Sequence, residues 1–119
     1  MTVQTLFDQT LALINEEPTQ YKDILIGCVN RLLADTYDTN NLILEYHHAD
    51  PLSAIPVVSA LTDEIPCNAD LVAAFPYGLA SLLIYDDEDL NKVIFWQNQY
   101  ADALQRAGRA FEEKVQDVY

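Results

Sequence analysis

Val3, Leu6, Phe7, Leu11 and Ile14, joined by Thr10, recur at three- and four-residue spacing and so share one face. That period predicts a first helix over 2–15, with Thr2 as its N-cap. Glu16-Glu17-Pro18 breaks it. A second helix is expected over 20–38, carrying Ile24, Leu25, Cys28, Val29, Leu32 and Leu33 on one stripe. The polar run 38–41 is expected to fray or bend it before 42–46. Residues 47–66 lose the helical period, and Pro51, Pro56 and Pro66 discourage a helix there. Val57, Val58 and Leu61 fit a short strand or an extended wrap in this long connection, and connections of this length are usually functional.

A third helix opens near Asn68 and is apolar on all sides, which predicts a central, buried position. Pro76 is expected to kink it, and Gly78 to let another helix approach closely. The acidic run 86–89 then caps a last helix that can continue to the end of the chain. Its length, roughly 45 Å, exceeds the roughly 35 Å diameter expected of a 119-residue domain. Residues 106–119 are therefore expected to project. Leu90, Val93, Ile94, Gln97, Tyr100, Ala101, Leu104, Gly108, Phe111, Val115 and Val118 form the predicted apolar stripe of this helix. Phe95 falls nearly opposite, among Asn91, Gln99, Asp102 and Arg106, where an aromatic needs a partner. The resulting expectation is an all-α single domain over 1–119. It is a small bundle of about four helices with an extended loop over 47–66 and a long C-terminal helix.

Half the residues are hydrophobic, which argues for a packed core rather than disorder. Charge changes the picture most. The formal net charge is −13, and 32–91 holds eleven Asp and Glu without one Lys or Arg. Nucleic-acid binding through clustered cations is excluded outside the tail. A solvated acidic surface accounts for much of this charge whatever the function; repelling DNA or imitating it are the functional readings.

The candidate chemistry is thin. The acidic run lacks the alternating ligands, the Gly and the closing Glu of a calcium loop. His47 and His48 are adjacent, so in an extended segment they point apart, with no third ligand at metal spacing. Cys28 lies on a core stripe. Cys67 lies near a helix start that would lower its pKa, yet nothing marks a base for it. Two cysteines in apolar surroundings read as free thiols in a reducing compartment. The amino terminus lacks signal-peptide features, and no apolar run reaches the ~20 residues that span a bilayer. No enzyme, cofactor or metal is expected. The stronger candidates for contact with other proteins are Phe95, Trp96, Phe111, Val115, Val118 and Tyr119, with Arg106 and Arg109 beside them.

The stretch 59–107, SALTDEIPCNADLVAAFPYGLASLLIYDDEDLNKVIFWQNQYADALQRA, resembles the C-terminal half of tailed-phage head–tail connector (adaptor) proteins. The resemblance rests on the lead-in Ile65-Pro66, the small-residue segment 75–81, the acidic turn 86–89 and the Tyr100 to Leu104 segment. It implies a helical bundle that assembles with itself, as a ring of about a dozen copies under the phage portal. Such a ring joins the head to a tail or stopper protein and extends the DNA channel. It would belong to the virion, assembled in the host cytoplasm without a membrane. The resemblance also implies docking onto the portal through 106–119. An acidic channel wall repels passing phosphate only within about 10 Å, so acids facing the lumen would matter; Asp63, Glu64, Asp86, Asp87 and Glu88 are the candidates. The alternative function is an acidic DNA mimic that occupies a basic groove on a nuclease or regulator.

Overall fold

The structure, a computed structural model, describes residues 1–85 and 89–118, with side chains as far as Gly108. Among these residues the chain is predominantly α-helical and contains no β-strand. The helices are α1 (Val3–Ile14), α2 (Lys22–Asp35), α3 (Tyr37–Tyr46), α4 (Ala69–Val72), α5 (Phe75–Leu83) and α6 (Leu90–Val118), with a 3-10 turn at Pro18–Gln20.

Six helices replace the expected four because two predicted helices are each divided. The first break is at Thr36 rather than at 38–41. The buried Thr36 hydroxyl donates to the Leu32 carbonyl at 2.9 Å, and its backbone leaves helical values (φ −101°, ψ 2°). A Thr that back-bonds to the preceding turn bends a helix in this way. The second break falls at Ala73 and Ala74, so Pro76 does not kink a helix. It occupies the first turn of α5, where no N–H is required of it and its fixed φ is already helical.

α5 is the hub, with Phe75, Leu79, Ala80 and Leu83 buried and α1, α2 and α6 packed around it. α1 supplies Val3, Leu6, Phe7 and Leu11 to the core, and α2 supplies Leu25, Val29, Leu32 and Leu33. The Thr2 hydroxyl caps α1 by accepting from Thr5 N–H at 3.2 Å, as its sequence position predicts. α6 is 29 residues long, about 44 Å at 1.5 Å per residue. That length sets the 48 Å longest dimension. It also raises the radius of gyration to 14.9 Å, above the roughly 13.5 Å expected of a compact domain this long.

The connection between α3 and α4 forms an extended wrap, not a strand. Its one β-type contact is an isolated antiparallel bridge between Thr2 and Glu64. Side-chain amides fasten it to the bundle. Asn30 accepts from Val58 N–H at 2.7 Å and donates to the Val58 carbonyl at 3.0 Å. Asn41 does the same for Leu52, at 2.9 and 3.3 Å, and Tyr37 adds its hydroxyl to the Leu52 carbonyl at 2.7 Å. Asn40 accepts from Asn68 N–H at 2.9 Å. Each asparagine offers a donor and an acceptor in the amide geometry of a neighbouring strand, so backbone groups without a ladder still find partners. Val58 and Ile65 then join the core.

Candidate protein-binding face

Asp89 starts α6, its carboxylate accepting from Asn91 and Lys92 N–H at 3.1 and 3.4 Å. The rotation of the helix is set one to three turns later. Trp96 lies over Tyr77 of α5, with ring centroids 6.2 Å apart and planes 16° from parallel. Tyr100 fills the space beside Gly78. Val93, Trp96 and Tyr100 therefore form the inward line. The predicted stripe is rotated accordingly: Leu90 and Ile94, expected inside, are 65% and 51% exposed.

Phe95 does not stand alone on a polar face. It is 51% exposed and meets Trp96 edge-on, with centroids 4.9 Å apart and planes 75° apart. Tyr77, Trp96 and Phe95 thus form a continuous aromatic ladder, from the half-buried Tyr77 and Trp96 to the exposed Phe95. The outer end borders a groove of about 350 Å³ between the end of α1 and the start of α6, lined by Leu13, Ile14, Ile84 and Lys92 among others. Leu13 and Tyr77 also line a second hollow with Ala12 and Pro76, about 390 Å³. Tyr77 borders a third, with Ala103, Arg106 and Ala107 on α6, about 460 Å³. The second hollow shares Leu13 with the first and Ala73 and Tyr77 with the third, so the three adjoin as a row of hollows, a trough, across α1, α5 and α6. Lys92 and Arg106 stand on its rims, accompanied by Glu16 and Asp70.

Of the residues expected at an interface, Phe95 and Trp96 line the first hollow together, whereas Arg106 borders the third, which has no lining residue in common with it. The exposed Arg106 pairs with Asp102 at 3.3 Å. The side chains of Arg109, Phe111, Val115 and Val118, and Tyr119 entirely, lie outside the described residues, as do Asp86, Asp87 and Glu88. Sequence reasoning missed Tyr77 and Leu13. Both sit on other helices, and nothing local marks them as neighbours of Trp96.

Asp63 and Glu64 belong to the wrap. One Asp63 carboxylate oxygen accepts from Ser59 N–H at 2.8 Å, Ala60 N–H at 3.0 Å and the Ser59 hydroxyl at 3.3 Å. The backbone donors of Ser59 and Ala60 hold its pKa below the usual carboxylate range. The exposed Glu64 lies 3.1 Å from the Met1 amino group. Asp63 thus closes a turn, whatever else it faces.

The thiols of Cys28 and Cys67 are free, and burial pushes both pKa values up. This corrects the expectation for Cys67: desolvation outweighs the hydrogen bonds from Thr36 and Asn68 that favour its thiolate. His47 packs edge-on against Tyr46, with ring centroids 5.2 Å apart. Among the described residues no three His, Cys, Asp or Glu side chains cluster as metal ligands, and no helix is long and apolar enough to cross a membrane.

The chain matches no protein-family model, no curated protein and no solved structure.

Proposed function

We propose that this protein is a structural component of a tailed-phage particle, a connector that assembles into a homo-oligomeric ring at the portal. The ring joins the head to a tail or stopper protein, and DNA passes through it without specific binding. The observation that carries the reading is the Tyr77–Trp96–Phe95 ladder ending half-exposed on an apolar trough. A monomer would gain little by leaving such an aromatic surface in water, whereas aromatic side chains in hollows are the anchors of protein interfaces. The resemblance of 59–107 to head–tail connectors supplies the biological setting, and a small helical bundle with a long last helix suits it. The net charge of −13 suits a channel wall that DNA crosses. In this reading Glu64, Asp86, Asp87 and Glu88 are the acids assigned to the lumen. Asp63 contributes field, although its carboxylate also holds a turn.

Native mass spectrometry of the purified protein, alone and mixed with a candidate portal protein, tests the proposal. A closed ring of about a dozen copies, or a complex in portal-matched stoichiometry, is the expected result. A protein that stays monomeric and ignores the portal would overturn it and favour the acidic DNA mimic, to be pursued with a basic protein partner.

A further inference from the structure

The trough has a counterpart elsewhere on the same chain. Between the Asn41 and Asn30 clamps the wrap presents Ile55 and Val57 to solvent, 48% and 72% exposed, while Val58 turns inward. This is the alternation of an extended backbone, fixed at both ends by paired amide hydrogen bonds. The segment is thus an apolar knob held in one conformation, which lowers the ordering cost of inserting it into a partner.

Charge decides which partner. Two copies of a chain carrying −13 repel wherever acidic surfaces meet. Contact is favoured only where local charge is absent or balanced. The ten residues 52–61 carry no charge, in a chain with 19 Asp and Glu. Lys92 and Arg106, two of the six cations of the whole chain, border the trough beside Glu16 and Asp70, with Asp102 paired to Arg106.

We infer that the Ile55–Val57 knob of one copy docks into the Leu13–Tyr77–Phe95 trough of the next copy. The inference rests on the ring reading and names the contact that builds the ring. The groups that hold the knob lie on α2 and α3, and the rest of the wrap is bonded to the first residues of the chain. The trough belongs to the end of α1, to α4 and α5, and to α6. One copy can therefore donate its knob and accept another at the same time. Such a contact is heterologous: it propagates head to tail and closes into a ring when the rotation between copies allows.

Two variants of the full chain test this, Val57→Asp and Phe95→Asp, both at exposed positions. Circular dichroism and thermal melting first establish that each is folded. Val57→Ser and Leu13→Asp serve as replacements if either is not. Each variant alone is expected to be monomeric by native mass spectrometry at concentrations where the wild type assembles. Mixed, they are expected to form a 1:1 heterodimer and nothing larger, because one intact knob meets one intact trough. Assembly of either variant alone, or a mixture that stays monomeric, overturns the docking and leaves the ring reading standing if the wild type assembles. A wild type that is monomeric at every concentration overturns both.

Discussion

Gly78 and Tyr100 touch across the α5–α6 contact so closely that a methyl group at position 78 would lie 2.9 Å from a Tyr100 ring carbon. The same methyl would sit 2.8 Å from a methyl of Leu32. Glycine costs about 1 kcal/mol against alanine in a helix, so Gly78→Ala would stabilise an open site. Here the ring and the fully buried Leu32 must both move, and overpacking costs about 1–3 kcal/mol. Net destabilisation of about 1 kcal/mol is expected from those opposing effects, read as a lower urea midpoint with an unchanged slope. Gly27 has open space around a Cβ, so Gly27→Ala is expected to move the midpoint the other way.

The Tyr100 hydroxyl is buried and finds no hydrogen-bond partner among the described residues. Burial, and then Asp35 and Cys67, push its pKa far above that of free tyrosine. An unpartnered buried hydroxyl is a cost, so Tyr100→Phe is expected to be neutral or to stabilise by up to about 1 kcal/mol. The raised folded-state pKa also fixes a sign. Tyr100 is neutral in both states below about pH 10, and above it the unfolded chain loses the proton first. Stability therefore falls as pH rises beyond about 10, and Tyr100→Phe is expected to flatten that decline in melts taken across the alkaline range. A decline of equal slope in the variant would assign it to other groups.

Asn30 holds both backbone groups of the buried Val58. Asn30→Ala leaves an N–H and a carbonyl unpaired, a loss of about 1–3 kcal/mol. Asn30→Asp is the sharper experiment. It keeps the acceptor for Val58 N–H but sets an oxygen against the Val58 carbonyl. The amide of Val58 is expected to exchange faster in both variants, while core amides of α5 change less. Uniform acceleration throughout the chain would mean that the wrap unfolds only with the bundle.

Local signals account for what was legible in the sequence. Thr2 and Asp89 cap their helices through contacts two or three residues away, and three prolines keep the wrap extended. The divisions at Thr36 and at Ala73-Ala74 were hidden, because each depends on packing rather than on propensity: alanine is a strong helix former. The rotation of α6 was misread for the same reason. Leu90 and Ile94 are as apolar as Val93, and only the placement of Tyr77 and Gly78 on α5 decides which of them turns inward. Asn30, Asn40 and Asn41 gave no local sign of acting as amide partners for residues 11 to 28 positions away.

Asp63 sets an acid-side prediction. Its pKa is held low by the backbone donors of Ser59 and Ala60. The stabilisation is present above the unfolded value of about 3.9 and is lost as pH falls through the lower folded value. Asp63→Asn keeps an acceptor oxygen and removes the titration. Its stability below pH 4 is therefore expected to fall less steeply than that of the wild type. Parallel acid transitions in the two proteins would show that the turn does not depend on the charge.

Trp96 is the only tryptophan, and it forms the middle of the ladder on the trough. Its fluorescence therefore reports what enters that trough. Knob docking removes water from the Phe95 side of the indole, so raising the protein concentration through assembly is expected to shift emission to shorter wavelength. Iodide quenching is expected to fall in parallel, since a covered indole is closed to a solvated anion. Val57→Asp leaves the trough intact and is expected to hold the monomer spectrum at every concentration, until Phe95→Asp, with its intact knob, is added. A wild-type protein that assembles with no change in Trp96 emission or quenching would place the subunit contact away from the trough.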